Sequence, residues 1–141
     1  MQTSSTLTSS RGAPAPIRAI LVEDSQVIRD SLIQTLAELA NTEVVAWATN
    51  PVDAEQALTE WHGQWELIVI DLFLASGTGL DVLKKIRPRE PYQKAFVLSN
   101  YATADMRRRC FELSADGVFD KSTEIEMFLD RCGAIDRKFS G

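Results

Sequence analysis

No apolar run in this sequence approaches the ~18 residues that a membrane-spanning helix needs. Insertion into a membrane is therefore excluded at the level of helical spans. Residues 1–16 lack an apolar signal core and are rich in Ser, Thr, Pro and Ala. They are expected to form a disordered tail ahead of one domain over residues 17–138. Cysteine is scarce: Cys110 and Cys132 lie far apart, with no Cys-x-x-Cys pair. That argues against a structural metal or a disulfide framework and places the chain in a reducing cytoplasm. The single histidine, His62, sits beside Trp61 near an expected helix end and reads as a helix-terminal residue rather than a catalyst. Positive charge is not in excess. Fifteen Lys and Arg against 20 Asp and Glu leave a net charge of -5, which argues against non-specific nucleic-acid binding. At 141 residues the chain suits one domain that can bury a core without staples.

What is present is a rhythm. Short apolar runs alternate with longer segments of helical period. The runs are Ala19 to Val22, Val44 to Ala48, Leu67 to Ile70, Ala95 to Leu98 and Gly117 to Phe119. Between them, Ile28, Leu32, Leu36 and Leu39 recur at helical spacing, as do Ala54, Leu58 and Trp61. Further on, the same spacing joins Leu80, Leu83 and Ile86, then Met106, Cys110 and Leu113, and last Ile125, Phe128, Leu129, Cys132 and Ile135. Asn50-Pro51 reads as an N-cap with proline at the first helical position. Thr123 with Glu126 reads as a capping box for the last helix. Five strands alternating with five helices predict a doubly wound α/β fold with a parallel sheet covered on both faces.

The chemistry gathers at one edge. Ligands of such sheets bind at the carboxyl ends of the strands. There the first strand delivers Glu23 and Asp24, the third Asp71, the fourth Ser99 and the fifth Lys121. A like-charged pair at ~4 Å costs about 4 kcal/mol at an effective dielectric of 20, so three converging carboxylates need a cation. Magnesium suits them, with Asp24 and Asp71 as direct ligands and Glu23 acting through water. A carboxylate beside magnesium, a lysine and a hydroxyl is equipped for phosphoryl transfer, with aspartate as nucleophile.

Glu23-Asp24, Asp71, Gly79 eight residues later, Ser99 and Lys121, each in order at a strand end, resemble the receiver domain of bacterial two-component response regulators. The resemblance covers nearly everything but the tail. It implies a flavodoxin-like (βα)5 fold with strand order 2-1-3-4-5. It implies that Asp71 takes a phosphoryl group from a histidine of a sensor kinase or phosphotransfer protein. Ser99 and Lys121 would contact the phosphoryl group, Mg2+ would be the cofactor, and the Phe73 backbone carbonyl would complete its site. The fourth helix, fifth strand and fifth helix would form a partner-binding face, with Arg107, Arg108 and Val118 as candidates; the bland reading of Arg107-Arg108-Arg109 is a solvated face with one arginine at the core's edge. Since only Lys138 to Gly141 follows the last helix, the expectation is a stand-alone switch without direct DNA binding that signals through an effector protein.

The chain departs from the family's pattern in places. Ser122 follows the lysine where proline is common, Val118 replaces the aromatic switch residue, and Ala75 stands where the loop after Asp71 often has proline. Phe73, large and apolar, is expected to hinder the attacking water and lengthen the phosphoryl lifetime. Other readings stay open: a relay intermediate, a receiver excised from a longer regulator, or a degenerate receiver that binds partners without phosphorylation. A flavodoxin-like cofactor binder is disfavoured because the loop after the first strand begins Glu-Asp, which repels phosphate. An aspartate-nucleophile phosphatase would want a second aspartate where Phe73 stands. Asp24, taken alone, also reads as an N-cap of the first helix.

Overall fold

A computed structural model describes residues 14–100 and 102–139 of the chain. Five strands and five helices alternate: β1 (Ile17–Val22), α1 (Gln26–Ala40), β2 (Thr42–Ala48), α2 (Pro51–Glu60), β3 (Leu67–Ile70), α3 (Gly79–Lys85), β4 (Lys94–Ser99), α4 (Ala104–Glu112), β5 (Gly117–Asp120) and α5 (Ile125–Gly133). All strand pairs are parallel, in the order β2-β1-β3-β4-β5. The doubly wound sheet and its strand order are as expected.

Alternation along each strand divides the core into two layers. Ile20, Val22, Ile68, Ile70 and Val118 point to one side, where residues of α2, α3 and α4 cover them. Ala19, Leu21, Leu67, Val69 and Phe119 point to the other, against α1 and α5. On that second side Phe96, Phe119 and Phe128 meet edge to face, with centroids 5.5–6.5 Å apart. All four residues of β3 are buried, each worth ~1.5–3 kcal/mol of apolar transfer. Cys110 and Cys132 are free and buried, and burial pushes the Cys132 thiol up to about 12.

Local chemistry sets the helix starts. Ser25, Asn50, Thr78 and Thr103 each accept a backbone N–H from three residues on. Ser25, not Asp24, caps α1, so the carboxylate of Asp24 stays available. Thr78 and Asp81 form a reciprocal capping box that spacing alone did not single out. The capping box expected from Thr123 and Glu126 does not form. Glu124 occupies the N-cap of α5 without a side-chain cap bond. The physical reason is competition: the carboxylate of Asp120 takes the Thr123 N–H, while Glu124 is drawn to Arg107 and the Asp120 N–H.

Strand ends run further than the apolar runs suggest. β2 gains Thr42 and Glu43, and β4 gains Lys94 and Ser99. Backbone pairing, not side-chain polarity, decides these positions; Thr42 and Glu43 pair with Ile17 and Arg18. His62 lies in the turn beyond α2 rather than in the helix. Residues 1–13 of the expected tail lie outside the described residues. Within residues 14–16, the Pro14 carbonyl accepts from Asn41 and the Ala15 carbonyl from Arg137. This part of the expected tail is therefore bonded to the domain.

Gly79 shows how tightly α3 abuts the exit of β3. Its N–H donates to the Leu72 carbonyl at 2.9 Å. A Cβ at this position would lie 2.5 Å from the Asp71 carbonyl oxygen and 2.9 Å from the Leu72 Cα. Both are backbone atoms that cannot swing aside. Gly79→Ala is expected to destabilise the domain by about 1–3 kcal/mol through overpacking, read as a lowered urea midpoint at unchanged slope.

Candidate functional site

The sheet's hydrogen bonding continues past the strand ends and fixes the acidic residues. The Glu23 N–H donates to the Ala48 carbonyl at 2.9 Å, and the Asp71 N–H to the Val22 carbonyl at 3.0 Å. Glu23 and Asp71 thus leave adjacent strands at the point where the strand order reverses. Carboxylate oxygens of Glu23, Asp24 and Asp71 lie within 4.8 Å of one another, the one such acidic group among the described residues. Lys121 enters from beyond β5. Its Nζ is 2.8 Å from Glu23 Oε1 and 3.7 Å from Asp71 Oδ1.

Each acid has a different set of bonds. Glu23 is buried, and both its oxygens are engaged, one by Lys121 and the other by the Ser25 N–H at 3.1 Å. Asp24 is half-buried and accepts the Ala75 N–H at 2.6 Å. A proline at position 75 would have no N–H to give, so this bond depends on the alanine. Asp71 is 8% exposed. Burial pushes its carboxyl up to about 6, against the pull of Lys121, with Glu23 and Asp24 adding to the rise and a backbone bond from Phe73 opposing it. The site therefore holds a carboxylate that is short of positive charge. Oxygen donors in this number suit a hard divalent cation.

The structure brings Glu23, Asp24, Asp71 and Lys121 together and lines one cleft with them, Phe73 and Asn100. Phe73 stands at the mouth, 53% exposed. Ser99 ends β4 fully buried, and its carbonyl accepts the Lys121 N–H at 2.9 Å. The Lys121–Ser122 link needs no proline: no cis peptide occurs among the described residues. The Ser122 N–H and hydroxyl both donate to Asp120 Oδ1.

The expected partner face fares differently. Val118 is 6% exposed and packs inside the core beside Val97 of β4, so its place at a partner-facing surface is corrected. Position along the chain marked it, but the pleat aims it at the face that α2, α3 and α4 cover, so it is buried. Arg107 is committed within the chain, to the carbonyls of Ala102 and Val118 and to Glu124, which fits the edge-of-core reading. Arg108 stays exposed and pairs with Asp105 and Glu112 of its own helix. Sequence reading missed the Ala75 and Ser25 amides, because backbone donors carry no residue-type signal. It also missed Asn100 in the cleft and Glu124 as a polar anchor; Glu124 was legible only as an acid near a helix start.

The family model described as the response regulator receiver domain matches residues 19–132. The transcriptional regulatory protein CiaR of Streptococcus pneumoniae is 28% identical over 120 residues, covering 84% of this chain and 51% of that protein. A protein-glutamate methylesterase/protein-glutamine glutaminase of Hahella chejuensis is 35% identical over 78 residues, 55% of this chain and 20% of its own length. The chain thus matches from a fifth to about half of the length of these curated relatives. Among solved structures, the non-phosphorylated HemR receiver domain of Leptospira biflexa shares 29% identity at a TM-score of 0.72, covering 86% of this chain and 97% of that one. The response regulator domain of Thermotoga maritima CheB, at 18% identity and a TM-score of 0.71, covers 86% and 98% and shows the same fold.

The raised carboxyl of Asp71 has a signed consequence for stability. Below its ordinary value of 3.8, the folded and unfolded chains both hold the proton and nothing is lost. As pH rises from 3.8 to about 6 the unfolded chain releases its proton first, and above 6 the full cost is present. Asp71→Asn removes that cost. In the presence of EDTA it is expected to stabilise the protein at neutral pH by up to about 3 kcal/mol, from 1.36 kcal/mol per unit. The gain should shrink to nothing toward pH ~4. Urea denaturation across that range measures it, with Glu23 still holding Lys121 in the variant.

Proposed function

Since the chain belongs to the response regulator receiver domain family, we propose that Asp71 is its phosphoacceptor and that the domain is a phosphorylation-controlled switch acting through a partner protein. The observation that carries this reading is the convergence of three carboxylates and Lys121 in one cleft at the sheet's carboxyl edge. In family terms the domain serves phosphorylation-based two-component signalling. No helix of the described residues is long and apolar enough to cross a membrane.

The chemistry follows from the chain's own groups. An Asp71 carboxylate oxygen attacks phosphorus in a phosphohistidine donor. The P–N bond breaks, the imidazole leaves with the bonding pair and takes a proton from water, and Asp71 becomes an acyl phosphate. Lys121, now nearer to Glu23 than to Asp71, moves its charge toward the phosphoryl oxygens that form beside it. The Ser99 hydroxyl turns to one of those oxygens, drawing its loop with it. Magnesium would be held by Asp24 and Asp71, by Glu23 through water and by the Phe73 carbonyl, and would supply charge neutralisation at the transferring group. The engagement of both Glu23 oxygens supports its indirect role. The Phe73 ring at the cleft mouth narrows the approach of a hydrolytic water. Of the residues expected at the partner face, Arg108 remains on the exposed side of α4, near the half-exposed Phe111. The extra negative charge on Asp71 biases that side between two states.

Incubation with acetyl phosphate and magnesium, followed by intact-mass measurement, tests the reading. Wild type is expected to gain one phosphoryl group and Asp71→Asn none. No gain in wild type, with a competent phosphohistidine donor also tried, would leave a domain that binds partners constitutively. Phe73→Asn is expected to hydrolyse its phosphoryl group several-fold faster than wild type; an equal or slower rate removes the ring from the account.

A further inference from the structure

The two side chains that would meet the phosphoryl oxygens lead into separate loops. Ser99 ends β4 just ahead of the loop into α4, and Lys121 opens the turn into α5. One arginine spans them. Arg107, in the first turns of α4, donates its Nε to the Ala102 carbonyl at 3.0 Å, Nη1 to the Val118 carbonyl at 2.9 Å and Nη2 to Glu124 Oε1 at 2.8 Å. β5 is the edge strand of the sheet, and this guanidinium pairs with a carbonyl on it. Glu124 passes the link inward, because the same Oε1 accepts the Asp120 N–H at 2.8 Å, one residue before Lys121. Asp120 braces the turn itself. Its carboxylate accepts from the Ser122 side chain and backbone and from the Thr123 backbone.

We propose that Arg107 and Glu124 are positioning residues that fasten the Ser99 loop to the Lys121 turn, so that the two phosphoryl contacts are set as one unit and α4 moves with them. This rests on the reading of Asp71 as phosphoacceptor. It gives the buried Val118 a consequence: coupling from the site to α4 runs through a polar clamp on the backbone of β5, not through a side chain of that strand. The guanidinium suits the task because its planar fork aims three separate nitrogens at three spread acceptors, a geometry that the single nitrogen of an ammonium does not reproduce. The clamp touches neither Asp24 nor the backbone of β1 and β3. Metal affinity should therefore be indifferent to it.

The test uses the full chain with Glu124→Ala, Glu124→Gln, Arg107→Met and Arg107→Lys, each first checked for a cooperative thermal transition. Two readouts are taken. The first is hydrogen exchange at the Asp120 and Lys121 amides without metal or donor. The second is the rate of phosphoryl uptake from acetyl phosphate as a function of magnesium. Glu124→Ala and Arg107→Met are expected to speed exchange at both amides and to slow uptake about tenfold, the effect of losing one charge-assisted bond. The magnesium half-saturation should stay unchanged. Glu124→Gln keeps an acceptor for the Asp120 N–H and should lie between; Arg107→Lys should recover less than half of the loss. Unchanged exchange overturns the clamp. Faster exchange with unchanged uptake overturns the positioning role, as does a matching loss of magnesium affinity. If wild type takes up no phosphoryl group, the phosphoacceptor reading falls by itself, and amide exchange alone decides the clamp.

Discussion

The structure turns on a charge imbalance at the exit of β3. Three carboxylates converge where one ammonium serves two of them. The single lysine leans toward Glu23, and Asp71 is left buried with too little compensation, its carboxyl pushed up to about 6. Removing a carboxylate from water is costly, and like charges around it add to the cost. A protein selected for stability alone would place an amide there. On the reading proposed above, retaining the carboxylate would keep a nucleophile and a cation seat in one spot, at the expense of the metal-free fold.

The rest of the fold is what makes that imbalance tolerable. β3 is buried along its whole length and is held on both sides by parallel neighbours, so its last residue cannot drift. Gly79 lets the start of α3 press against the Asp71 backbone. Ser25 caps α1 and also binds Glu23, which aims that carboxylate back at Lys121. On the far side, Arg107 and Glu124 tie down the turn from which the lysine reaches in. Each device is a backbone or charge-assisted bond at the edge of a rigid sheet, the setting in which a catalytic constellation is most readily held in register.

Much of this was legible in the residues, and the exceptions share a cause. Uninterrupted apolar runs ending on acids or on Ser99 and Lys121 located the strands and the edge where the site lies. Spacing placed the helices, and the inner stripes of α1 and α5 match Leu32, Leu36, Phe128 and Cys132 in the core. The misreadings arose where backbone groups decide. The capping box at Thr123 lost to Asp120, whose carboxylate claimed the same amide. β2 began earlier than its apolar run because pairing with β1 is indifferent to the polarity of Thr42 and Glu43. Val118 was assigned to the partner face by its position, but the helices packed on its side of the sheet bury it. The Ala75 bond to Asp24 had no side-chain signature at all.

The most direct test of the account is the titration of the Asp71 side chain itself, followed by carbon-detected NMR on selectively labelled protein with and without magnesium. The account predicts a metal-free midpoint near 6 that falls steeply as magnesium is added, because the cation supplies the missing charge. A midpoint at the ordinary aspartate value, indifferent to magnesium, would contradict it: the carboxylates would then be a solvated cluster with no cation seat and no poised acceptor.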